Sequence, residues 1–125
     1  MSADDLAVAQ QFLATLAAAA KTGELEDVYE FLAADVEWVT PTRNLRSIGE
    51  VRNEMTWFSP RETREIDFGV SEERLTDLGK GRIATDFREV YTTKDTGELA
   101  YARERRIELT VRDGKIAKYE MRFAG

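Results

Sequence analysis

Apolar residues recur at helical spacing through the first twenty positions. In SADDLAVAQQFLATLAAAAKTG, Leu6, Ala9, Leu13, Leu16, Ala17 and Ala20 share one face, which predicts an amphipathic helix. Ser2 is a suitable cap, Asp4 and Asp5 stand where the helix dipole favours acids, and Gly23 stops the run. Leu25, Val28, Tyr29 and Leu32 mark a short second helix. The period then drops to two: Val36, Trp38 and Thr40 alternate with Asp35, Glu37 and Val39, and Pro41 ends the predicted strand. Ser47 and Glu50 stand three apart in the capping-box pattern and open a third helix, with Val51, Met55 and Phe58 inward and Pro60 closing it.

From Arg64 onward the pattern alternates. REIDFGVSEERLTDLG sets Ile66, Phe68 and Val70 on one side, with Asp67 opposite them. GRIATDFREVYTT sets Ile83, Thr85, Phe87, Glu89 and Tyr91 together. A KDTG turn leads into LAYARERRIELTVRDG, and Asp113-Gly114 is a hairpin signal before KIAKYEMRFAG, whose apolar side is Ala117, Tyr119, Met121 and Phe123. Helix, helix, strand, helix and four consecutive antiparallel strands make an α+β plan. One curved sheet carries helices on a single face, and its other face is polar or used for association. One strand breaks the simple pattern. Leu99, Tyr101, Arg103, Arg105, Ile107, Leu109 and Val111 share a register, so two permanent charges point the same way as the leucines.

Composition narrows the chemistry. The chain has 125 residues, the length of one domain (1–125), enough to bury roughly two-thirds of its unfolded surface. A formal net charge of −6 gives the chain no electrostatic footprint for nucleic acid or an acidic membrane. With no cysteine and no histidine, disulfides, thiolate zinc sites, His–metal sites and Ser-His or Cys-His nucleophiles are excluded. Acid–base work falls to carboxylates, tyrosine or lysine. No cofactor or metal motif is present, no segment reads as a signal peptide or membrane span, and a cytoplasmic location is the default expectation.

Three stretches carry a resemblance to a known family: the paired helices with DVYEFLAADVEWVTP, the capped SIGEVRNEMTWF, and the final hairpin ELTVRDGKIAKYEMRF. Their order, over nearly the whole chain, resembles the nuclear transport factor 2-like, or SnoaL-like, superfamily. It includes ketosteroid isomerases, limonene-type epoxide hydrolases, polyketide cyclases and non-catalytic domains. The resemblance implies a cone in which three N-terminal helices pack on a curved, mostly antiparallel sheet around an apolar pocket. It also implies homodimers formed through the outer sheet face, here Ala100, Ala102 and Glu104 with Ala84. The catalytic positions depart from the family's patterns. Thr40 stands where ketosteroid isomerases place an aspartate before a proline. The arginine and aspartate of the epoxide hydrolases fall at Phe87 and Glu89, and the last-strand acid of the hydrolases and cyclases falls at Met121. The histidines of scytalone dehydratase-like members have no counterpart.

On that plan the concave face holds Trp38, Phe87, Glu89, Tyr91, Tyr101, Arg103, Arg105, Tyr119 and Met121, with Trp57 and Phe58 near the mouth. A charge in such a face needs a carboxylate, water or a ligand. Glu89 is the carboxylate in register on the adjacent strand. Two arginines against one glutamate leave a positive surplus suited to a small anionic aromatic ligand; alternatively, Arg103 and Arg105 form a structural network with wet heads, or a bulge turns one of them outward. Glu89 is the candidate acid–base, with Tyr91 and Tyr101 as donors to an oxyanion, although arginines nearby favour its ionised form.

Overall fold

The structure, a computed structural model, describes residues 3–22, 24–54, 62–67, 75–93 and 96–123, with side chains throughout except at 3, 20–22, 62–67, 87–92, 100–103 and 123. Helix α1 (Ala3–Thr22) has Asp4 and Asp5 in its first turn. Its buried stripe is Ala9, Phe12, Leu13, Leu16 and Ala19. Phe12 lies outside the predicted stripe yet is fully buried, with its ring edge-on to Phe31, Trp38 and Tyr119 at 5.9, 6.4 and 6.3 Å. The expected cap Ser2 and stop Gly23 fall outside the described residues.

Helix α2 (Glu26–Glu30) buries Val28 and Tyr29 and ends early. Leu32, expected as its last apolar position, instead opens strand β1 (Leu32–Val39) opposite Ile116. The reason is local competition. The Ile116 N–H donates to the Phe31 carbonyl at 2.8 Å and Lys115 Nζ to the Glu30 carbonyl at 2.6 Å, so the last strand takes acceptors that a longer helix would use. Within β1, Val36 and Trp38 are buried and Asp35 and Glu37 exposed. The strand stops before Thr40, whose Oγ1 accepts the Arg43 N–H at 3.1 Å in a turn leading to an unanticipated strand β2 (Asn44–Leu45). Helix α3 (Ile48–Glu54) is capped as predicted: Ser47 Oγ accepts the Glu50 N–H at 3.1 Å, and Glu50 Oε1 reaches back to the Arg46 N–H at 3.4 Å. Val51 is buried, while Met55, Phe58 and Pro60 fall outside the described residues.

Five further strands follow: β3 (Glu62–Asp67), β4 (Thr76–Gly79), β5 (Arg82–Thr93), β6 (Leu99–Arg112) and β7 (Lys115–Phe123). Where one strand is expected before β5, the described residues hold two, and both lie along the same edge of β5. The seven strands form one curved sheet in the order β2-β1-β7-β6-β5-β3, with β4 beside β5; β1 and β7 run parallel and the other pairs antiparallel. The β4–β5 turn depends on Gly81. Its φ is +78° and an added Cβ would come within 2.5 Å of the Val111 carbonyl oxygen, so only glycine fits.

Two bulges correct the predicted faces. Tyr91 pairs with Tyr101 but Thr92 with Leu99, so one residue is skipped and Leu99 leaves the inner register to become 62% exposed. In β7, Thr110 pairs with Lys118 but Val111 with Ile116. Ile116 is therefore buried, while Ala117, expected inward, is half-buried. Between the bulges the alternation holds: Arg105, Ile107, Leu109 and Val111 are buried, and Glu104, Arg106, Glu108, Thr110 and Arg112 alternate with them on the outer face. The inner face meets the helices in one core.

Candidate functional site

The inner face of β5–β7 is a ladder of rungs that grows more polar along its length. The first rung runs Trp38, Tyr119, Leu109, Ile83 across β1, β7, β6 and β5. The next is Met121, Ile107, Thr85, followed by Phe123, Arg105, Phe87. Beyond these, Arg103 stands opposite Glu89, which in turn pairs with Ile66, and Tyr101 stands opposite Tyr91, which pairs with Arg64. Successive rungs are about 7 Å apart. The first of these rungs is buried in the core.

Trp38 and Tyr119 lie on adjacent parallel strands in direct register and stack at 3.8 Å with an interplanar angle of 12°. Phe12 closes on both rings from α1. This packing makes a rigid aromatic floor, both of whose strand members are buried.

Two rungs beyond this floor on the same face stands Arg105. It is 7% exposed and points inward, which excludes an outward bulge at this position. Among its interactions, Nη1 donates to Met121 Sδ at 3.1 Å, diagonally across β6 and β7. A thioether is a weak acceptor for a cation's hydrogen bond. Met121 is therefore a soft neighbour to a buried guanidinium.

The remaining predicted site residues divide in two. For Phe87, Glu89, Tyr91, Tyr101 and Arg103 the backbone register is as described above, with Glu89 opposite Arg103; their side chains lie outside the described set. Trp57 and Phe58 lie wholly outside the described residues. Sequence reasoning missed Phe12, although its spacing three after Ala9 and four before Leu16 places it on the same helix face. It also missed the organisation of the outer face, where Glu108 gathers several arginines.

Shifted titrations lie away from this floor. Burial raises the Tyr29 phenol, and Glu26 adds to the rise while Arg52, whose guanidinium carbon lies 4.4 Å from the ring centre, opposes it. Asp35, on the outward side of β1, is held below its ordinary value by a 2.6 Å hydrogen bond from Arg112 and by that residue's charge. Among the described residues no group of three acidic side chains is placed to hold a metal ion, and no helix is long and apolar enough to cross a membrane.

No family model matches the sequence, and no curated protein matches it by sequence. Solved structures do resemble it. An NTF2-like protein from Anabaena variabilis superposes with a TM-score of 0.79 at 20% identity, over 100% of this chain and 93% of the other. A candidate polyketide cyclase from Xanthomonas campestris pv. campestris gives 0.69 at 13% identity, over 96% and 93%. An epoxide hydrolase of the LEH type from Mycobacterium tuberculosis gives 0.69 at 15% identity, over 94% and 84%. Identities of this size speak for architecture and not for chemistry, and these neighbours carry different chemistries on one scaffold. The rung order, the helices on one face and these superpositions together make the chain an α+β protein with the curved NTF2-like fold.

Proposed function

We propose that the inner face of the sheet binds a small aromatic or polycyclic anion. The observation that carries this reading is Arg105, a buried cation on the same inner face as the stacked Trp38–Tyr119 pair, two rungs further along it. A guanidinium can grip a carboxylate or phenolate with two donors at once. Arg103, two positions along β6, supplies the second cation. Glu89, in register opposite Arg103, balances part of the charge. Trp38, Phe87, Tyr119 and Met121 form the apolar wall, with Trp57 and Phe58 beyond α3 as the cover over the pocket. The chain acts as a single cytoplasmic domain and as a homodimer, without nucleic acid, membrane, metal or cofactor.

A second reading is enzymatic. The register that sets Glu89 opposite Arg103 and Tyr91 opposite Tyr101 favours it, because an acid–base group and two phenol donors then share one end of the ladder. In that reading Glu89 moves a proton and the tyrosines stabilise a developing oxyanion, as in an isomerase, cyclase or epoxide hydrolase. A third class, a non-catalytic association domain, needs no ligand.

A thermal-shift series separates the three. Aromatic carboxylates should raise the melting temperature more than their neutral alcohol counterparts. For any compound the protein also turns over, Glu89→Gln should abolish turnover and leave the shift in place. If no compound raises the melting temperature, the association reading replaces the binding one.

A further inference from the structure

Two of the three methionines, Met1 and Met55, lie outside the described residues; the third, Met121, has a cation at its sulfur. Ile107 stands directly opposite Met121 on β6. Arg105, two residues along that strand, reaches back across the diagonal so that Nη1 donates to Sδ at 3.1 Å. Access differs between the partners. Arg105 and Ile107 are buried, as is Thr85 at the far end of the Met121 rung, whereas Met121 is half-buried at the margin of the core. A small oxidant can therefore reach the methionine more readily than its neighbours. Oxidation of a core methionine ordinarily disrupts packing, because the sulfoxide puts a polar oxygen among apolar side chains with nothing to donate to it. Here a charged donor stands within hydrogen-bond distance of the sulfur before any oxygen arrives. The unbranched, flexible side chain of methionine can turn a new oxygen toward that donor without moving either strand.

We propose that Met121 is an oxidation site and that Arg105 receives its sulfoxide oxygen. Hydrogen peroxide is the oxidant. One peroxide oxygen transfers to Sδ as the O–O bond breaks and the S–O bond forms. Sulfur loses two electrons, and the second oxygen leaves as water with both peroxide protons. The weak N–H···S contact then becomes a charge-assisted N–H···O bond from β6 to β7, so the fold tolerates the modification. That bond also occupies a donor of the guanidinium assigned above to the ligand's anion, so oxidation lowers the preference for an anion. The second consequence rests on the anion reading; the first does not. Reduction of the sulfoxide to the thioether reverses both.

Treatment of the full chain with hydrogen peroxide tests this on wild type, Met121→Leu and Arg105→Leu, with peptide mass spectrometry locating the added oxygen. Wild type should take an oxygen at Met121. Its melting temperature should change no more than that of Met121→Leu, which reports oxidation of Met1 and Met55 alone. Arg105→Leu, without the donor, should lose several degrees more on oxidation than wild type. In case Arg105→Leu fails to fold, Met121→Gln sets a carbonyl oxygen near the place of the sulfoxide's, without oxidant, and should melt no lower than Met121→Leu. In oxidised wild type and in Met121→Gln, the preference for 2-naphthoate over the neutral 2-naphthylmethanol should fall roughly tenfold, while Met121→Leu keeps it. The inference is overturned by a Met121 that stays unmodified while Met1 and Met55 react, or by an oxidised wild type that loses as much as oxidised Arg105→Leu. It is equally overturned by a Met121→Gln variant melting several degrees below Met121→Leu, or by an anion preference that oxidation leaves intact. A reduced wild type with no preference for the carboxylate overturns the anion reading instead, and the melting temperatures then decide the oxidation site by themselves.

Discussion

Arg105 and Arg106 are neighbours in sequence and opposites in environment. Arg105 is buried on the inner face with Met121 as a hydrogen-bond acceptor; Arg106 is partly exposed on the outer face between Glu108 and Asp86. One residue step along a strand is enough, because the pleat sends alternate side chains to opposite faces. The outer cation sits in water among carboxylates, where such pairs contribute little each and are screened. The inner one has left water, and in a dry surrounding an interaction with an opposite charge is stronger than at the surface. Equal charge on the two faces thus sits in different surroundings: inside, a buried guanidinium against a thioether; outside, exposed ion pairs.

Unequal losses should follow when each face is altered. The largest effect should come from the inner side: Phe12→Ala removes the ring that touches Phe31, Trp38 and Tyr119, and chemical denaturation should show a loss of about 3–5 kcal/mol. On the outer side, Glu108→Gln takes the shared carboxylate from three arginines, with an expected loss of roughly 1–2 kcal/mol by the same measurement. An outer loss as large as the inner one would contradict the difference between the faces. Away from both faces, Ser47→Ala removes the cap of α3 and should cost about 1 kcal/mol. The smallest effect concerns Asp35 and Arg112. Asp35 titrates below its ordinary value of 3.8 because Arg112 stabilises the carboxylate. That contribution is present above pH 3.8 and disappears as the pH falls through the lowered folded value. The small stability gap between wild type and Arg112→Gln, read from thermal unfolding, should therefore close in acid.

Most of the architecture was legible because it rests on periodicity. The inward set of β6 from Arg105 to Val111, the capping box at Ser47 and Glu50, and the hairpin at Asp113-Gly114 all follow from local chemistry that the fold leaves intact. Departures occur where distant segments compete. Leu32 joins a strand because β7 takes the carbonyls at the end of α2, and Leu99 and Ala117 leave their expected faces because each bulge shifts the count by one. Split strands β3 and β4 share one edge of β5, which a linear pattern does not encode. For the candidate site, the pattern set Glu89 only somewhere beside Tyr101 to Arg105; the backbone register opposite Arg103 needs the strand pairing itself. The diagonal convergence on Glu108 was not legible, since it depends on three strands aligned side by side.

The contrast between the two arginines can be measured directly. Calorimetric titration of wild type, Arg105→Met and Arg106→Met with 2-naphthoate and with the neutral 2-naphthylmethanol compares one charge on each face. Wild type should prefer the carboxylate by roughly tenfold or more, the scale of a charge-assisted hydrogen bond. Arg105→Met should lose that preference and keep the neutral compound's affinity, while Arg106→Met should behave as wild type. Equal carboxylate binding by wild type and Arg105→Met, or a loss confined to Arg106→Met, would contradict an anion site on the inner face.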